Sequence, residues 1–122
     1  MHLFVYGTLK DSRRFAAVVG QHVHVRVIGH GTVRGVLYDA GEYPALRPSA
    51  SAADVVRGVV LELDDAALVR LDAYEGVDSG LYVRRRCEVR GDDGRVQEAW
   101  LYVYNRSVSG FRRIASWPAE RG

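Results

Sequence analysis

The sequence has little of what staples, anchors or activates a chain. Cys87 is its only cysteine, so no internal disulfide can form and no cysteine metal cluster exists. No apolar run approaches the roughly 20 residues of a membrane span. The opening, MHLFVYGTLK, lacks a basic stretch and a small-residue cleavage site, so it reads as no secretory signal. A reducing, cytoplasmic setting is the expectation. Of 17 basic residues only Lys10 is lysine, and acids interleave with the arginines throughout. A nucleic-acid binder would gather its basic residues on one face, so no nucleic-acid partner is expected. There is no Gly-x-Ser-x-Gly elbow and no Ser or Thr in a recognisable nucleophile context. The phosphate-loop ending Gly-Lys-Ser/Thr is missing, and Gly29-His30-Gly31 with Gly35 misses the dinucleotide spacing.

What is present is an ordinary globular composition, with 48% hydrophobic and 26% charged residues over 122 positions. A chain of this length is expected to form one domain, residues 1–122. Thirteen glycines and seven tyrosines favour turns and sheet. Strands are expected over 2–6, 23–28, 32–39, 55–63, 81–90 and 95–105. Gly29-His30-Gly31 reads as a turn, and Gly58 as a weak point in its strand. Gly91-Asp92-Asp93-Gly94 is a strong hairpin signal. Helices are expected over 11–20, capped by Asp11 or Ser12, and over 64–75. Residues 40–54 read as a long loop. The tail from Ser107 reads as irregular and packed by Phe111, Ile114 and Trp117. The fold class expected is α+β: a small, mostly antiparallel β-barrel of about six strands flanked by short helices.

Glu75 is the most informative residue. At 100 degrees per residue, Leu68, Leu71 and Glu75 fall on one helix face, just before Gly76. A carboxylate on an apolar stripe is costly unless it is paired or its pKa is raised. The helix dipole disfavours negative charge at that end as well. The pattern fits a tuned general base. It also fits a terminal Glu that turns to solvent or pairs with an Arg. Tyr6-Gly7-Thr8-Leu9 joins a strand to a helix start. Such a turn exposes backbone N–H groups that can hold a carboxylate or phosphate, or it is an ordinary turn. The arginines at 84, 85 and 86 alternate over both faces of a strand, so structural salt bridges are their default role. His2, His22, His24 and His30 lack metal-ligand spacing, and Cys87 falls in an apolar register as an unreactive thiol.

Taken together, these segments resemble the gamma-glutamylcyclotransferase-like family. The resemblance rests on Phe4-Val5-Tyr6-Gly7-Thr8-Leu9-Lys10, Gly35-Val36-Leu37-Tyr38 and Tyr43-Pro44-Ala45-Leu46. Leu71-Asp72-Ala73-Tyr74-Glu75-Gly76 and Leu81-Tyr82-Val83-Arg84 follow in family order. The resemblance implies that Tyr6, Gly7, Thr8 and Leu9 bind the α-carboxylate of a small gamma-glutamyl substrate and that Glu75 is catalytic. It implies release of 5-oxoproline by attack of the substrate's α-amine on its own γ-carbonyl, with no metal and no organic cofactor. Two departures stand out. Ala115-Ser116-Trp117 lies where the family often ends Gly-Asp-Trp, and Phe111 lies where one branch carries a tyrosine. A non-catalytic binding module for a gamma-glutamyl or amino-acid metabolite is the alternative reading.

Overall fold

The computed structural model describes residues 1–6, 17, 18, 20 and 25–117. Of the helix expected over 11–20 only Ala17, Val18 and Gly20 are described, with Ala17 and Val18 helical; its capping residues lie outside the described residues, as do His22 and His24. Apart from those two helical residues, the described residues form seven strands and one helix. The strands are β1 (His2–Val5), β2 (Val25–Asp39), β3 (Pro44–Pro48), β4 (Val55–Leu63), β5 (Tyr82–Gly91), β6 (Val96–Tyr104) and β7 (Arg112–Ile114). The helix α1 spans Asp65–Tyr74.

Five strands close into a barrel in the order β2-β4-β1-β6-β5, with β5 returning to β2 at Gly31 and Thr32. β3 and β7 pair with the outer end of β2. Every pairing is antiparallel except that of β1 with β6. The expected barrel is therefore present, with a parallel contact at its centre.

Three local expectations are corrected. Gly29-His30-Gly31 is not a turn. It runs through β2, and a bulge between Val27 and Gly29 places one extra residue opposite β4. Residues 40–54 contain β3, an edge strand whose two prolines need no full ladder. The tail contains β7, although Phe111, Ile114 and Trp117 pack against the core as expected.

The sheet is buried on both faces. Leu3 and Val5 of β1 pack with Leu61, Leu63, Tyr82, Tyr102 and Tyr104 against Ala67, Leu68 and Leu71 of α1. Phe4 joins Val33, Val56, Val60, Val89, Leu101 and Val103 inside the barrel. Alternate side chains of β1 thus serve two cores, which explains why its sequence is a continuous apolar run. Burying a side chain such as Phe4 or Leu71 is worth about 1.5–3 kcal/mol. Gly58 is needed for this packing. A Cβ there would lie 2.3 Å from the Val5 carbonyl and 2.6 Å from the Phe4 ring.

Candidate functional site

Helix α1 carries the main candidate to one end of the sheet. Asp64 caps the helix by accepting from the Ala67 N–H at 2.9 Å. Leu68 and Leu71 anchor its inner face. Glu75 is the C-terminal cap, with helical dihedrals, and its N–H donates to the Leu71 carbonyl at 2.9 Å. Gly76 then takes φ +68, the left-handed conformation that terminates a helix. The Gly76 N–H donates to the Ala73 carbonyl at 3.2 Å and the Val77 N–H to the Asp72 carbonyl at 3.1 Å, which closes the helix end beside Glu75.

The Glu75 side chain is half-buried. Burial pushes its carboxyl from the ordinary 4.5 up to about 7. The pattern reading of a carboxylate on the apolar stripe therefore describes its environment better than the solvent-facing one. Its charge reaches three tyrosines on three strands or their ends. Burial raises the hydroxyl pKa of Tyr6, Tyr82 and Tyr102, and the nearby Glu75 charge raises each further. These phenols stay protonated and remain hydrogen-bond donors. Tyr6 is buried immediately after β1 and donates to the Tyr102 carbonyl. Tyr82 is buried on β5 and donates to the Pro44 carbonyl. Tyr43, Tyr82, Tyr104 and Phe111 form a continuous run of ring contacts, with centroids between 5.6 and 6.3 Å apart.

A second group of polar side chains braces the same end of α1. Asp72 Oδ1 accepts from the Tyr102 hydroxyl at 2.7 Å and from Arg84 Nε at 2.9 Å. The Arg84 guanidinium lies 4.4 Å from the centroid of Trp100. Tyr102 is thus a two-ended clamp: its carbonyl holds Tyr6 and its hydroxyl holds Asp72. Sequence reasoning missed this role of Asp72 and Tyr102. The signal was present, since Asp72 precedes Glu75 by three residues and so shares its side of the helix. The hairpin turn also sets the register that places Arg84 opposite Tyr102.

The remaining sequence candidates separate from this centre. Gly7, Thr8 and Leu9 lie outside the described residues, so of the expected carboxylate-binding turn only Tyr6 is placed. Arg84 and Arg86 make the expected salt bridges, to Asp72 and Glu98. His2 lies 3.5 Å from Glu62. Cys87 is half-buried, and burial pushes its thiol up to about 11, which leaves little thiolate. It borders an open cleft of about 380 Å³ with Arg34, Glu88 and Arg90, where β5 parts from β2. Glu75 is not among the residues lining that cleft. Cleft size alone is a poor guide here, because the perturbed acid lies elsewhere.

Comparison with known proteins decides the family. Residues 3–118 match the family described as gamma-glutamyl cyclotransferase, AIG2-like. The chain belongs to this family. A gamma-glutamylcyclotransferase family protein, YtfP, of Escherichia coli strain K12 is 30% identical over 117 residues. That match covers 95% of this chain and 93% of the relative. The crystal structure of an AIG2-like protein from Mus musculus superposes with a TM-score of 0.79 at 24% identity. It covers 95% of this chain and 86% of the mouse chain. A solved gamma-glutamyl cyclotransferase superposes with a TM-score of 0.72 at 18% identity, covering 93% of this chain and 69% of its own. At these identities the two solved structures support the barrel fold alone.

Proposed function

We propose that this family member is a cyclotransferase that releases 5-oxoproline from a gamma-glutamyl amide, with Glu75 as its general acid and base. The observation that carries the reading is the half-buried Glu75 carboxyl, raised to about 7 by burial at the end of α1. A group with that pKa can take and return a proton near neutrality.

The chemistry needs no protein nucleophile. The substrate's α-ammonium loses a proton to Glu75, and the free amine attacks its own γ-carbonyl. A five-membered lactam forms as the attacking nitrogen gives up its second proton, the C–N bond to the leaving amine breaks, and the departing nitrogen takes up both protons, the first returned by Glu75, and leaves as an ammonium. Ring closure is intramolecular, so orienting the glutamyl unit supplies much of the rate. By family resemblance, Tyr6, Gly7, Thr8 and Leu9 hold the α-carboxylate, with backbone N–H groups as donors. Tyr6 is suited to an anchoring role, because its side chain is buried and hydrogen-bonded to Tyr102. The proposed setting is cytoplasmic, as one domain acting on a small molecule without metal or organic cofactor.

The test is incubation with a panel of gamma-glutamyl dipeptides and gamma-glutamylamines, followed by assay for 5-oxoproline. Turnover of at least one compound supports the reading. No turnover across the panel, with thermal stabilisation by the same compounds, would replace it with a metabolite-binding module.

A further inference from the structure

Resting on the reading of Glu75 as the acid–base group, we infer that Asp72 and Arg84 form a charge-balanced pair beside Glu75 whose opposite charges offset one another in setting its ionisation. Asp72 lies one helical turn before Glu75, so their side chains emerge about 5–6 Å apart at Cβ. An isolated carboxylate at that separation would oppose ionisation of Glu75. Arg84 cancels it, with Nε 2.9 Å from Asp72 Oδ1. The pair is held in place from three directions. Tyr102 donates to the same Oδ1, Trp100 lies under the guanidinium, and the Leu71 side chain beside Asp72 is fully buried. Both charged side chains are about three-quarters buried, at 25% and 24% exposure, so solvent screens them only in part.

Among the described residues, the other titratable groups set around Glu75 are phenols. Tyr6 comes from the end of β1, Tyr82 from β5 and Tyr102 from β6, and Tyr74 precedes Glu75 on the helix. The first three stay uncharged near neutrality, because burial raises their pKa values. Among the described residues, the balance of charge beside Glu75 therefore rests on Asp72 and Arg84. Burial is the cause of the raised Glu75 pKa.

The arrangement predicts shifts of opposite sign. In Asp72→Asn the amide oxygen still accepts both hydrogen bonds, but Arg84 is left unbalanced and favours ionised Glu75. In Arg84→Gln the Asp72 charge is left unbalanced and disfavours it. At about 6 Å and an effective dielectric of about 20–40, one unit charge moves a carboxyl pKa by about 1–2.

The experiment measures the acidic limb of kcat/KM against pH, and titrates the Glu75 carboxyl by carbon-13 NMR in substrate-free protein. The limb should fall in Asp72→Asn, rise in Arg84→Gln, and return to the parent position in the double variant. Arg84→Lys keeps the charge and should also leave the limb in place. Should Asp72→Asn not fold, the contrast between Arg84→Gln and Arg84→Lys tests the same sign. An ordinary structural pair would lower stability or kcat without moving the limb. Shifts of the same sign, or none, in folded variants would overturn the inference. The NMR titration keeps this outcome separate from a failed cyclotransferase reading, since it needs no turnover.

Discussion

Replacing Glu75 by Gln separates catalysis from stability in one variant. The amide preserves volume and hydrogen bonding but cannot accept a proton near neutrality. General acid–base catalysis typically contributes about 10²–10⁴-fold, and one carboxyl serving two proton transfers places the expected loss toward the upper end. Stability should move the other way, in a pH-dependent manner. The folded carboxyl titrates near 7, whereas the ordinary value is 4.5. Below about pH 4.5 the group is neutral in both states, so it costs the fold nothing. As the pH climbs from 4.5 to 7, the unfolded chain ionises and the folded one resists. The folded protein loses stability across that window and stays at the lower level above it. The full difference is on the order of 3 kcal/mol, an upper bound because Gln is itself polar and half-buried. The melting temperature of Glu75→Gln should match the parent at pH 4.5 and exceed it by several degrees at pH 8. The assay is 5-oxoproline release and thermal melting on the same preparation across that range. Turnover near the parent's level would end the proposed mechanism. A variant less stable at pH 8 would refute the burial argument and make Glu75 a structural residue.

Three further outcomes follow from the same framework. Exhaustive chelation should leave 5-oxoproline release unchanged, and a loss restored by a divalent ion would show that metal ligands had been overlooked. Tyr6→Phe removes the donor to the Tyr102 carbonyl. It should destabilise the fold by about 1–3 kcal/mol in denaturant melts, since a buried acceptor is left without its partner. Gly58→Ala forces a Cβ to 2.3 Å from the Val5 carbonyl, so chemical denaturation should show a loss of about 1–3 kcal/mol.

The legible parts of the fold are those where local chemistry and tertiary packing agree. The run from His2 to Val5 reads as a strand because both of its faces are buried. Asp64, Leu68, Leu71 and Gly76 mark the start, inner face and end of α1, and the structure uses each of them that way. Gly91 and Gly94 mark a turn that pairs β5 with β6 over their length. Legibility fails where pairing overrides local signals. Gly29, His30 and Gly31 look like a turn, yet β4 holds them extended along one side. Pro44 and Pro48 argue against a strand in general, but not against an edge strand paired on one side. β7 is three residues long, too short for any periodicity to appear. In the site, helical phase puts Glu75 on the apolar stripe but leaves open whether its carboxylate turns to solvent, and only the packed structure shows it half-buried. The bracing of Asp72 by Tyr102 and Arg84 requires both the helix phase and the hairpin register, two levels that a residue-by-residue reading keeps apart.

The position of β1 also bears on how the chain acquires its fold. The first strand is central, flanked by β4 on one side and by β6 on the other, with Leu3 beside Leu61 and Trp100. β4 lies about halfway along the chain and pairs with all four residues of β1, whereas β6 lies near its end, so one edge of β1 is covered well before the other. Closing such long loops carries an entropic cost before any contact offsets it, which slows folding. The β5–β6 hairpin, by contrast, pairs across a short turn and can form early. During synthesis the second edge of the N-terminal strand therefore stays open until the last third of the chain arrives. Tyr6 reaches its Tyr102 carbonyl only when that closure is complete, so the candidate site is assembled by the final step of folding rather than inherited from an early nucleus.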